Sequence, residues 1–178
     1  MKLHKIASTD NLRPQLSHIC IDKDDVVATN AHVLIIVPKA LFFEDREIPE
    51  MFVRSRDWAK IYPRKNHYLR YEEGHLILYS KSKSYRGEVA RIKPILKEKA
   101  KFNYPDYTKV IPDGELKEAD KIGVNSYFMR LYNEATGINE AKLSFYGHGK
   151  AIVLTPFSDD YKDVKAIIMP IMLPEYMK

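Results

Sequence analysis

A repeated order of elements, a helix followed by a hairpin, runs through this sequence and narrows its possible folds. Residues 54–62 (R-S-R-D-W-A-K-I-Y) put Trp58, Ile61 and Tyr62 on one helical face and stop at Pro63. Residues 125–136 (N-S-Y-F-M-R-L-Y-N-E-A-T) begin polar, carry Phe128, Leu131, Tyr132 and Ala135 at helical spacing, and end at Gly137. A short strand precedes each helix, at 51–53 and 121–124. A hairpin follows each: strands 67–71 and 76–79 turn at Glu73-Gly74, and strands 142–146 and 151–155 turn at Gly147-His148-Gly149-Lys150. Residues 50–80 and 120–155 therefore read as two copies of one β-α-β-β unit. Repetition of such a unit outweighs any single residue in setting the fold.

Residues 1–38 read as a further, degenerate copy, with Ser8-Thr9-Asp10-Asn11 standing where the helix would be. Its strands are 17–21, 25–28 and 32–37. The run V-V-A-T-N-A-H-V-L-I-I-V at 26–37 breaks two apolar strands with four small or polar residues, a tight turn in which Asn30 tolerates φ > 0. Residues 93–118, rich in Lys, Pro and Tyr, form a junction, and a last apolar strand over 166–173 is interrupted at Pro170. The fold class expected is α+β, with antiparallel sheets carrying the helices on one face.

A chain of 178 residues, 45% hydrophobic and 30% charged, builds a real core rather than a disordered tract. No apolar run approaches a membrane span, and Met1-Lys2-Leu3-His4-Lys5 lacks the apolar stretch of a secretory signal. Cys20 is the sole cysteine, so neither an internal disulfide nor a thiolate metal cluster forms. A cytoplasmic protein without a membrane partner is expected. The net charge of +5 favours a polyanionic partner only weakly, and an indifferent basic surface fits it as well.

The chemistry of catalysis is missing. The six histidines make no H-E-x-x-H and no pair at metal-ligand spacing with a carboxylate, so no metal or cofactor is expected. Gly147-His148-Gly149-Lys150 lacks the length of a phosphate loop, Asp159-Asp160 reads as solvated loop, and Cys20 lies within an apolar strand. Arg54, Arg56 and Lys60 remain, with Arg64 and Lys65 beyond. Arginines near a helix start oppose its dipole, which hints at a task such as holding phosphates. A wet face balanced by Asp57 explains the same residues, and both readings stay open.

Four segments in order carry a resemblance. A-T-N-A-H-V-L at 28–34 looks like the A-T-D-G-H-R-L signature of the bacterial sliding clamp, the beta subunit of DNA polymerase III. R-P-Q-L-S-H-I at 13–19 resembles that family's R-x-x-L segment. Y-P-D-Y-T-K-V-I-P at 104–112 is close to its F-P-D-Y-R-R-V-L-P, and A-I-I-M-P-I-M-L at 166–173 is similar to its V-V-M-P-M-R-L. The chain resembles the family's middle domain, over residues 1–115, followed by the second half of its last domain, over residues 116–178. Asn30, Ala31 and Val33 replace Asp, Gly and Arg, and Met172 replaces another Arg.

The resemblance implies the sliding-clamp fold and a processivity or recruitment role without catalysis. Duplex DNA would be held without base reading, with Arg13, Arg54, Arg56 and Lys60 as candidate contacts. Polymerases or other clamp-binding proteins would dock a peptide in a cleft whose matching positions are Leu16, Thr29, His32, Val33, Leu34, Pro105, Lys109, Val110, Met169, Pro170, Ile171 and Met172. Methionines at 169 and 172 suit an adaptable groove, though core packing suits them too. A rival reading is an interaction module that keeps the groove without encircling DNA. A homo-oligomer is also admitted: the family's ring has twelve half-domain units and this chain about three, so four copies match. A closed tetramer ranks below a monomer or dimer, because closure also needs matched sheet edges.

Overall fold

A computed structural model describes residues 1–10, 12–45, 47–118 and 121–174. In chain order the strands are β1 (His18–Ile21), β2 (Asp25–Thr29), β3 (Val33–Pro38), β4 (Met51–Arg54), β5 (His67–Glu72), β6 (His75–Lys81), β7 (Arg86–Ile92), β8 (Ile95–Leu96), β9 (Ala141–Ser144), β10 (Ile152–Pro156) and β11 (Lys165–Ile168). Helix α1 (Ser55–Ile61) follows β4, and α2 (Ser126–Thr136) precedes β9. Eight strands make one sheet in the order β8-β4-β1-β2-β3-β11-β10-β9, and β5-β6-β7 make a second. Every ladder in both sheets is antiparallel.

The central strands β1 to β3 read as unbroken apolar runs because both faces are covered, and side chains alternate between them. Ile19, Ile21, Val26, Ala28, Val33, Ile35, Met51, Val53, Ile152, Leu154, Ala166 and Ile168 share a core with Trp58 and Ile61 of α1 and Leu131, Tyr132 and Ala135 of α2. The intervening Cys20, Val27, Leu34, Ile36, Phe52, Val153 and Ile167 face the opposite way. Leu69, Leu76, Leu78 and Ile92 of the small sheet join the helix-side core. Both helices thus sit on one face of the large sheet.

The opposite face is covered by the segment expected to be a junction. Residues 97–111 run across it as a strap, with Phe102 against Phe52 (ring centroids 5.0 Å) and Tyr104 stacked on Phe52 (5.7 Å). Tyr107 Oη donates to Asp22 Oδ2 at 3.3 Å. Burial raises the phenol pKa values of Tyr104 and Tyr107 above the ordinary range, so both stay neutral. Burial likewise pushes the Cys20 thiol up to about 12, which leaves it unreactive.

Each helix ends for a local reason. Tyr62 is extended ahead of Pro63, which disfavours helical geometry in the residue before it. Asn125 caps α2 by accepting the Tyr127 N–H at 3.0 Å, and Gly137 closes it at φ 76. In the degenerate unit, residues 8–10 carry no helix; Asn11 lies outside the described residues. A 3-10 turn, Leu3–Lys5, packs on both α1 and α2, and Trp58 Nε1–H donates to the Met1 carbonyl at 3.4 Å.

Some expectations need correction. The strand at 121–124 is reduced to an isolated bridge between Gly123 and Ile171, and the last strand stops at Ile168. Strands β7 and β8 were not foreseen. In the unit at 50–80 the strand before the helix joins the large sheet while the hairpin after it joins the small one. At the β2–β3 turn the residue with positive φ is Ala31 (φ 74), not Asn30.

Candidate functional site

The β2–β3 turn is held by its own side chains. Asn30 Oδ1 accepts the N–H groups of His32 (3.0 Å) and Val33 (2.8 Å). Thr29 Oγ1 donates to the Val33 carbonyl at 2.9 Å and accepts the Ala31 N–H at 3.1 Å. With the Thr29 hydroxyl and the Asn30 side-chain oxygen both engaged by turn backbone, the turn presents a braced rim. His32 stacks on Phe128 of α2 with planes 12° apart, and its carbonyl accepts the Met169 N–H at 2.9 Å. The chain beyond β11 is thereby tied to the turn.

Beside this rim lies a cavity of about 340 Å³. Its walls come from four separated segments: Arg13, Gln15 and Leu16; Thr29 and Ala31 to Leu34; Pro105 to Tyr107 with Val110; and Ile167 with Met169. Eight of the twelve candidate cleft residues line it: Leu16, Thr29, His32, Val33, Leu34, Pro105, Val110 and Met169. Arg13, a candidate DNA contact, also lines it. Gln15, Ala31, Asp106, Tyr107 and Ile167 line it without having been singled out. Ile167 was legible, since it stands two residues before Met169 and alternation sends both to one side of a strand.

The other four candidates are placed outside this cavity. Lys109 shares a 3-10 turn with Val110 but pairs with Asp106 at 3.3 Å. Pro170, Ile171 and Met172 line a smaller hollow with Lys121, Gly123 and His148, and Met172 is 74% exposed. The break comes at Pro170, two residues past the end of β11.

Most of the cavity wall is apolar, and the one acidic side chain on it is already committed. The Thr108 hydroxyl, and then Lys109, hold the Asp106 carboxyl below its usual pKa. Beneath the Pro14–Ser17 turn, His18 is buried with Nδ1 2.9 Å from the Pro14 carbonyl and its ring 4.7 Å from Phe102. Burial, with the charge of Arg54 added, lowers its pKa despite that hydrogen bond, which favours the neutral ring.

Along α1 and the Arg54 that precedes it, the cations are arranged differently. Arg54, Arg56 and Lys60 are all exposed. Asp57, favourably placed in the first turn, pairs with Lys60 at 2.8 Å and lies 3.9 Å from Arg56. Among the described residues no three metal-ligating side chains converge, and no helix is long and apolar enough to cross a membrane.

The antiparallel sheet with both helices on one face, and the cleft where β3 meets β11, belong to a fold shared with solved DNA sliding clamps. No protein-family model matches the sequence, and no curated protein does. Among solved structures, the DNA polymerase sliding clamp of Bacillus subtilis matches at TM-score 0.62 and 13% identity, covering 97% of this chain and 62% of that one. The DNA polymerase III beta subunit of Thermotoga maritima matches at TM-score 0.62 and 13% identity, over 97% and 63%. The sliding clamp of Bartonella birtlesii, solved bound to griselimycin, matches at TM-score 0.60 and 12% identity, over 97% and 64%. The chain thus spans less than two thirds of the clamps whose fold it shares.

Proposed function

We propose that this chain is a non-catalytic, clamp-like recruitment factor of the cytoplasm. It takes apolar peptide segments of polymerases or other clamp-binding proteins in the cleft between Leu16 and Met169. It contacts duplex DNA without reading sequence through Arg54, Arg56 and Lys60. Residues 1–115 act as a clamp-like unit and residues 116–178 as half of another, joined by the β3–β11 ladder. The observation that carries the reading is the cavity itself. Segments distant in sequence, each matched to a clamp motif, converge on one apolar hollow whose Val110 and Met169 are 45% and 38% exposed. Apolar groups gathered in a surface hollow are costly to leave wet, and an extended peptide covers them. A clamp of this fold solved with griselimycin bound is consistent with a ligand-taking surface.

A second reading, an interaction module that does not encircle DNA, has its own support. Both cations within α1, Arg56 and Lys60, share one aspartate, and the degenerate unit presents no helix over residues 8–10. Titration of a short peptide bearing two or three large apolar residues tests the cleft. Micromolar binding to the parent and none to Met169→Asp is expected; equal binding, or none to either, contradicts the reading. Salt-sensitive duplex binding by the parent separates the first reading from the second.

A further inference from the structure

A second hollow, about 500 Å³, meets the cleft at Arg13, Leu16 and His32. Its walls are the Ser8 to Asp10 segment, which runs as loop, and the first turn of α2, with a trough between them. Its character differs from the cleft's. Lys5 and Arg13 are exposed on it, and neither has a carboxylate within ion-pair distance among the described residues. The one acidic side chain on its wall, Asp10, is turned to its own loop, accepting the Leu12 N–H at 2.9 Å. The positive end of the α2 dipole adds to the same field.

We propose that the occupant of the cleft is an extended peptide whose apolar residues fill the cavity and whose flanking acidic residues lie in the trough against Lys5 and Arg13. This rests on the peptide reading of the cleft and names the partner's chemistry. Charge complementarity carries it, since two cations without partners flank the rim over which such a chain would pass. A nucleic-acid backbone fits less well. Its charge recurs at every step and would meet Asp10, and its partner cavity is apolar. A peptide places one or two carboxylates only where cations stand.

The test compares three peptides by fluorescence anisotropy: an apolar core alone, and the same core with two aspartates before or after it. One acidic peptide is expected to bind about three- to tenfold more tightly than the core at low salt. That ratio should fall toward one in high salt and in Lys5→Glu and Arg13→Glu. Reading a ratio cancels any loss both peptides share. Binding of the core with no gain from either flank overturns this proposal and leaves the cleft reading intact. No binding by any peptide overturns both. Displacement of the acidic peptide alone by a single-stranded oligonucleotide assigns the trough to phosphates and also overturns it.

Discussion

The cleft and the basic face of α1 are built on opposite plans. The cleft takes walls from four segments and leaves apolar side chains uncovered, so it depends on the whole scaffold. The α1 cations come from one short stretch of sequence, and Asp57 already engages two of them. Apolar complementarity of this kind is fixed when the core packs. A charged face, by contrast, is loosely held and adjusts with salt and substitution. Perturbing the scaffold should therefore damage the cleft most, whereas perturbing the helix should alter DNA binding and spare the fold.

The largest effect should come from the strap. Phe52 is buried beneath Phe102 and Tyr104, so Phe52→Ala leaves a cavity at the centre of that face. A loss of about 3–5 kcal/mol is expected in denaturant unfolding, with weaker peptide binding in whatever remains folded. Full peptide affinity in a destabilised variant would uncouple the strap from the cleft. A smaller and separate effect should follow from replacing Arg54, Arg56 and Lys60 with Glu. Duplex binding should be lost, and stability should change by no more than about 1 kcal/mol. In the parent, the slope of log affinity against log salt should not exceed about −2.7 from these residues, at about 0.9 per phosphate for three contacts. Unchanged DNA binding in the triple variant would remove the face from the account.

The smallest effect concerns pH. His18 has a pKa below its ordinary value in the folded chain, chiefly through burial, so the unfolded chain binds its proton first. Stability should be intact above about pH 6.5 and fall as pH drops below it, levelling once the folded pKa is passed. His4 is shifted the same way, chiefly by burial, and adds to the trend. His18→Gln should flatten part of the decline in melting temperature between about pH 7.5 and pH 5.5, a range above most carboxylate titrations. An undiminished slope would mean that His18 is not held neutral against Phe102.

Elements with strong periodicity were legible, and those shaped by distant contacts were not. Helix α2 announced itself through Asn125, its apolar spacing and Gly137. Strands β1 to β3 were legible as apolar runs, though only the structure explains why both faces are apolar. Strand β7 (R-G-E-V-A-R-I) hides because its outward residues are charged and a bulge opposite Leu78 and Tyr79 breaks its alternation. The strap looks like linker in sequence, since its aromatic residues follow no period and gain meaning only against Phe52. At the cleft, motif order found most wall residues. It could not show that Pro170 turns Ile171 and Met172 away, nor that Arg13 stands beside Leu16. The β2–β3 turn was placed correctly, yet the strained backbone fell to Ala31, where the clamp signature has Gly and an alanine bears the cost of positive φ.

Methyl NMR of the leucine, valine and methionine side chains during titration with the apolar peptide shows where on the protein the peptide sits. Saturable shifts are expected at Leu16, Leu34, Val110 and Met169, with Val89 on β7 and Met51 in the helix-side core unmoved. Saturable binding that moves Val89 or the exposed Leu143 while the four cleft methyls stay still would contradict the cleft reading.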